Sequence, residues 1–185
     1  MLTTPRLLLR PWQPSDLLPF AQLNVDPEVR RYFPSTLTRQ ESDQSVARYS
    51  AHIDRHGFGF WAAERRDNGA FIGFVGLDTI DFEVPFAPAV EIGWRLARAY
   101  WGYGYATEGA QASLRYGFEV LGLDEIVSIT AVENRRSRAV MARLGMTHHP
   151  DEDFDHPALP HGHPLQRHVL YRLHQRQWRS APAAL

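Results

Sequence analysis

Between Ala89 and Gly122 the hydrophobic period of the chain changes once. "AVEIGWRLA" (89–97) is an apolar run of strand type, and from Ala106 onward Ala110, Leu114, Gly117, Phe118 and Leu121 recur at helical spacing until Gly122 stops them. The join is "AYWGYGYATEG" (99–109), where Gly102, Gly104 and Ala106 sit between the rings of Trp101, Tyr103 and Tyr105. A strand ending in a glycine-rich turn that opens a helix makes an anion site. The first helical N–H groups lack intrahelical partners, and the helix dipole favours negative charge there. Residues without bulky side chains let main-chain donors reach a phosphate group. A tight turn alone would also explain a bare G-x-G, so the flanking sequence decides.

Upstream, "RLLLRPW" (6–12) reads as a first strand, and a helix begins near Ser15 or Asp16, both N-cap residue types. "TRQE" from Thr38 fits a capping box closed by Glu41, predicting a second helix. "FGFWAAERRDNGAFIGFVGLDTI" is two β-rich runs around Asn68–Gly69, a hairpin signal. Downstream, "DEIVSITAV" (124–132) is a strand of buried type. "NRRSRAVMARLGM" is a short helix capped by Asn134 and ended by Gly145, and "RHVLYRL" (167–173) is a last strand. The order is β-α-α-β-β-β-α-β-α-β, with room for one short strand around Met146–His148. Hairpins first and crossovers later predict an α/β (α+β) fold, with a mixed, mostly antiparallel sheet of six to seven strands and helices on both faces. The expected organisation is one domain over 1–185, with an ordered core at 3–174. A tail follows at 175–185, with "APAAL" expected to be disordered.

Composition narrows the chemistry. The formal net charge is −1, so no field over the whole molecule draws it to nucleic acid or an anionic membrane. With no cysteine, disulfides, thiolate metal sites and cysteine nucleophiles are excluded. No run approaches the roughly 20 apolar residues of a membrane span, and Arg6 and Arg10 interrupt the apolar N-terminal run, so a soluble, cytoplasmic protein is expected. "HHPDEDFDHPALPHGHP" (148–164) is rich in histidine and acid, but its prolines favour a loop and no metal is expected. Its acids Asp151, Glu152, Asp153 and Asp155 could attract a cationic amine or simply be solvated. Two nucleotide motifs fail: there is no lysine for a P-loop, and Thr107 stands where G-x-G-x-x-G needs its third glycine.

With its flanks, "VEIGWRLARAYWGYGYATEGAQASLRYGFEVLGLDEIVSITAVENRRSRAVMARLGM" resembles the GNAT superfamily of acyl-CoA-dependent N-acetyltransferases. Within it, the chain is similar to the branch of ribosomal-protein N-terminal (alanine/serine) acetyltransferases, over nearly its whole length. The superfamily loop is Q/R-x-x-G-x-G/A. Gly104 and Ala106 match its small positions, while Trp101 replaces the leading Gln or Arg. The resemblance implies a sheet splayed into a V, with acetyl-CoA as cosubstrate and no metal. Its pyrophosphate would lie on the main-chain N–H groups of the loop from Trp101 through Gly102, Tyr103, Gly104, Tyr105 and Ala106 to Thr107. Its pantetheine would pair with strand backbone around Trp94 and Leu96.

Asn134 is then a cofactor contact and Ser137 the proton donor to the leaving thiolate, although by themselves the two spell an ordinary N-cap. Glu91, in an otherwise apolar strand, is the candidate general base, because partial burial raises a carboxyl's pKa toward a useful range. His168 is the weaker candidate. The arginines of "ENRRSR" are expected to meet CoA phosphates or solvent, and Glu108 to have a structural role. The expected reaction is direct acetyl transfer through a ternary complex to a primary amine: a protein N-terminal α-amine, or a small antibiotic, polyamine or metabolite. A non-catalytic acyl-CoA sensor is the alternative of another class, and a homodimer is compatible with the resemblance alone.

Overall fold

The computed structural model describes residues 1–180. Its strands are β1 (Leu2–Thr3), β2 (Leu7–Arg10), β3 (Phe60–Arg65), β4 (Phe71–Ile80), β5 (Ala89–Leu96), β6 (Glu125–Ala131), β7 (Thr147–His148), β8 (Phe154–Asp155) and β9 (Arg167–His174). The helices are α1 (Leu17–Val25), α2 (Arg39–His56), α3 (Tyr105–Arg115), α4 (Arg135–Arg143) and α5 (Gln175–Ser180). The sheet runs β1-β2-β3-β4-β5-β6-β9-β7, with β8 also on β9, and every neighbouring pair except β5–β6 is antiparallel. It therefore has nine strands rather than six or seven. The additions, β1 and β8, are two residues long, too short to carry a hydrophobic period.

Local chemistry explains most element boundaries. Thr38 and Glu41 form the reciprocal capping box of α2, and Gly69 turns the β3–β4 hairpin with φ +70°. Asp16 precedes α1 but does not cap it. Its buried carboxylate takes two bonds from Arg10, at 2.7 and 2.9 Å, and a third from the Gln13 N–H. Five residues after Arg115 form a π-helical turn that extends α3 to Val120. The expected tail is partly helical: in α5, Trp178 packs on Phe118 at 5.8 Å and Gln175 bonds the Phe118 carbonyl. "APAAL" (181–185) lies outside the described residues.

Strand alternation gives the sheet two apolar faces. Val75 and Leu77 of β4, Ile92 of β5 and Ile126 of β6 pack with Leu114 and Phe118 from α3 and its extension and with Met141 of α4. On the other face Phe20 and Leu23 of α1, Val46 and Tyr49 of α2, Phe60 and Phe74 form a second core. A third, small core of Ile80, Val127, Phe154 and Leu170 lies beside it, covered by the β4–β5 and β7–β9 connections. Helices thus flank the sheet on both sides, as expected.

Candidate active site

The site begins where the sheet comes apart. β4 and β5 pair along eight consecutive positions, from Gly73–Leu96 to Ile80–Ala89. β5 and β6 share one register pair, Glu91–Val127, reinforced by the Ser128 hydroxyl donating to the Ile92 carbonyl at 2.9 Å. Beyond that point the two strands diverge. The N–H of Ala97 bonds back toward β4, at Ile72, so strand alternation turns the main-chain groups of Ile92, Trp94 and Leu96 to the open edge. The Ile92 carbonyl is taken by Ser128 and the Leu96 carbonyl by the Trp101 indole N–H, at 2.8 Å. Trp94 is left presenting a donor and an acceptor to the gap. Of the two positions expected to pair a ligand, Trp94 is open on both groups and Leu96 keeps only its N–H.

At the mouth of the gap stands the start of α3. Gly102 and Gly104 adopt φ of +83° and +82°, and Gly104 occupies the N-cap position, with no side chain to take up the first-turn N–H groups of Tyr105, Ala106 and Thr107. A Cβ at Gly104 would pay the left-handed strain and point toward Arg6 Nη2, 3.5 Å away. The rings have separate tasks. Tyr105 is buried under the Arg6 guanidinium, 4.7 Å from its ring centroid, whereas Tyr103 is 61% exposed. The Trp101 ring lies under Arg136 of α4, at 4.7 Å, so an arginine of "ENRRSR" flanks the mouth.

Glu108, in the first turn of α3, is engaged by the N-terminal segment. It accepts from the Thr4 hydroxyl, the Arg6 N–H and the Arg6 guanidinium, at 2.6, 2.8 and 2.6 Å, tying the N-terminal strands to α3. Burial would raise its pKa, but those three donors together hold it below the ordinary carboxylate range.

Asn134 caps α4 by accepting from the Ser137 N–H at 3.3 Å, and its amide donates to Thr130 at 2.9 Å. Both ends of its side chain are therefore engaged within the fold, and the residue fixes where α4 starts beside the open end of β6. Ser137, one turn into α4, is half-buried.

Glu91 lies at the apex of the gap, on the α1–α2 side of the sheet. Burial first, and then the charge of Asp78, push its carboxyl up to about 8. Asp78 is its direct register partner on β4. Asp78 in turn accepts from or pairs with His52 Nδ1 of α2 at 3.0 Å, and burial raises it too, against the opposing pull of His52. Burial outweighs Asp78 at His52 and lowers its pKa, and its Nε2 is buried without a partner. Asp78 and His52 escaped the sequence reading. A lone acid at the end of "FVGLDTI" gains meaning only once the hairpin register sets it opposite Glu91.

His168 is on the same side but on β9, with its Nδ1–H donating to Gln166 and its ring 4.9 Å from His156. Burial keeps it toward the neutral form. Three of the four loop acids have a basic partner: Asp153 bonds His148, Glu152 pairs Arg172 and Asp155 pairs Arg167. Among the described residues no group of three or more His, Asp or Glu side chains is arranged to hold a metal ion. No helix there is long and apolar enough to cross a membrane.

Residues 6–147 match the acetyltransferase (GNAT) domain, the deciding comparison. The chain belongs to the GNAT acetyltransferase family. Among GNAT relatives, it is 36% identical over 134 residues to an FsC-acetyl coenzyme A-N(2)-transacetylase of Aspergillus fumigatus, covering 69% of this chain and 56% of that protein. It is 27% identical over 177 residues to the uncharacterized N-acetyltransferase YnaD of Bacillus subtilis, 96% of this chain and 98% of that one. A crystal structure of an Agrobacterium tumefaciens acetyltransferase superposes with a TM-score of 0.74 at 28% identity, covering 94% and 93% of the two chains. Two further GNAT structures share the fold at 20% and 19% identity, with TM-scores of 0.71 and 0.72. One is a Vibrio cholerae spermidine N-acetyltransferase with CoA and spermine, covering 94% of this chain and 98% of that one; the other is the ribosomal L7/L12 α-N-protein acetyltransferase RimL with CoA, covering 92% and 95%.

Proposed function

We propose that this protein transfers an acetyl group from acetyl-CoA to a primary amine within a ternary complex. One observation carries the proposal. An uncapped helix N-terminus stands at the mouth of a gap in the sheet, an unpaired strand edge lines it, and a carboxyl group that titrates near 8 closes its apex. The residues fit the cosubstrate. The N–H groups of Tyr105, Ala106 and Thr107 would donate to its pyrophosphate, Arg136 over Trp101 would border it, and the Trp94 main chain would meet the amide-bearing arm as a neighbouring strand does. Bound there, acetyl-CoA supplies an activated thioester and needs no covalent enzyme intermediate.

Glu91 takes the proton of the incoming ammonium. Its carboxyl, pushed up to about 8, matches an N-terminal α-amine of pKa about 7.7–8.0 far better than a lysine side chain near 10.4. Alignment of the two substrates across the gap provides much of the acceleration, and Ser137 donates a proton toward the departing thiolate. A protein N-terminus or a small amine of similar pKa fits this electrostatic match.

Calorimetric titration with acetyl-CoA tests the reading, with NAD and ATP as controls. One-site binding of acetyl-CoA alone supports it, and its absence ends it. Thiol release on a panel of primary amines follows. Glu91→Gln should lower the rate by about 100-fold and flatten the rise in rate between pH 7 and 9. A variant that kept the parental pH profile would remove Glu91 from the chemistry.

A further inference from the structure

On the α1–α2 side of the sheet two arginines share one aromatic ring and neither forms an ion pair with a carboxylate; Glu41 is near enough only to raise Arg30 slightly by its charge. The guanidinium carbons of Arg95, on β5, and Arg30, in the α1–α2 connection, lie 4.3 and 4.1 Å from the Phe33 ring centroid, and Arg95 also covers Phe74 at 5.2 Å. Arg30 is 8% exposed. Their hydrogen-bond partners are neutral: Arg95 Nη1 donates to Asn24 Oδ1 at 3.0 Å, and Arg30 Nε to the Ser35 carbonyl at 2.8 Å. The Nε of Arg95 is closed off from solvent without an acceptor. Other inward-facing arginines are treated differently. Arg10 has Asp16 and Glu64, and Arg172 has Glu125 and Glu152. Burial, and for Arg30 the neighbouring charge of Arg95, lower both pKa values, that of Arg30 to about 10. Taking cations partly out of water with no ion-pair partner opposes folding, and Glu41 offsets this only weakly at Arg30, so an anion between the two would be stabilising.

Position ties the pair to the gap. Strand alternation puts Arg95 on the same face of β5 as Glu91, four residues further toward the mouth, about 13 Å along the strand. Gly93 lies between them, and the Phe60 ring closes over it, with Cε1 2.9 Å from where a Cβ would stand. Glu91 and Arg95 therefore mark the two ends of an apolar floor beside the open edge at Trp94.

We infer that Arg95 and Arg30 form an anion-recognition site for the acceptor, whose amine is presented to Glu91 while a carboxylate or phosphate elsewhere on the same molecule reaches the guanidinium pair. The inference rests on the acetyl-transfer reading and narrows its substrate class to amines that carry an anion. Four residues of strand separate Glu91 from Arg95, so amine and anion are separated by several bonds. An α-amino acid is too short. A longer ω-amino acid, an aminoalkyl phosphate or a peptide with an acidic residue near its N-terminus has the required span.

The test uses the full chain with ω-amino acids of three to eight carbons, each paired with its ω-amino amide, and a matching series of aminoalkyl phosphates. Thiol release should favour an anionic member over its neutral partner at least tenfold in kcat/KM at one or more chain lengths, mainly through KM. That ratio should fall to parity in Arg95→Met and shrink in Arg30→Met, while Arg95→Lys retains part of it. The series that wins identifies the anion. Calorimetry of the CoA-saturated protein with the same pairs reads the site without turnover. The thermal midpoint of Arg95→Met should stay close to the parent's or exceed it, because a half-buried cation with no ion-pair partner is removed at the cost of one bond to Asn24; if that variant does not fold, Arg30→Met carries the test. Equal turnover and equal binding of anionic and neutral partners at every length, or a preference that survives in folded Arg95→Met, overturns the site and leaves acetyl transfer standing. Arg95-dependent binding of the anionic series with no turnover on any amine supports the site and overturns acetyl transfer instead.

Discussion

Glu91 shows what a useful proton affinity does to stability. In the folded chain its carboxyl keeps its proton up to about 8, whereas in the unfolded chain it releases it near 4.3. Between those values the folded state binds more protons, so stability falls as pH rises, and the loss is complete above about 8. Glu91→Gln carries no such penalty. Its thermal midpoint should match the parent's near pH 4 and exceed it by roughly 10 °C at pH 8 to 9, as unfolding scans across that range would record. The neighbouring charge makes a second prediction. Asp78→Asn removes the acid facing Glu91 across the β4–β5 register, so the Glu91 carboxyl should titrate lower by at least about half a pH unit. Carbon-13 NMR of the Glu91 carboxyl would follow it, and an unmoved titration would mean burial alone sets the value. Glu91 itself was legible in the sequence because an acid inside "AVEIGW" contradicts its surroundings. Asp78 and His52 were not, because their meaning depends on which residues pair across the hairpin. The Arg30–Arg95 pair was hidden for the same reason: 64 positions of sequence lie between residues that share one ring.

At the level of elements, the junction of β5 and α3 joins the open strand edge to the uncapped helix start. Gly104 meets a positive φ and a helix start at the same position. Gly104→Glu should weaken acetyl-CoA binding at least tenfold by calorimetry, since it adds strain, bulk and a negative charge where an anion is to bind. Gly122→Ala is the control. It meets a similar φ, +68°, at the far end of the helical segment, and should cost about 1–2 kcal/mol of stability without changing affinity. Equal losses of affinity in both would point to strain rather than the anion site. The strand, turn and helix here were readable because the period changes, the glycines and the cap residues agreed. Agreement failed at Asp16, an N-cap type whose carboxylate Arg10 takes, and at α5, where one tryptophan anchors a segment of polar composition. Two-residue strands such as β1 and β8 exist because β2 and β9 offer them an edge, so no local pattern announces them.

For the molecule as a whole, the order of elements and the family were legible, since the loop and its two flanks together are specific. The acceptor was not: the side of the sheet on which we propose it binds is assembled from α1, α2 and their connection, segments that come together only in the folded chain. The single register pair between β5 and β6 also has a thermodynamic consequence. On either side of it the ladders are continuous; at it, the sheet lacks a strand's worth of hydrogen bonds. A pantetheine arm that pairs with Trp94 would serve as that missing strand, made of something other than peptide. Cofactor at 100 times its dissociation constant should then raise stability by about 2.7 kcal/mol. Amide exchange should slow at Trp94 and Leu96 more than in β2 or β3, as hydrogen exchange with and without acetyl-CoA would measure. Sheet and cosubstrate would be completed together, so the cell's supply of acetyl-CoA would govern how long the folded protein lasts as well as how fast it works.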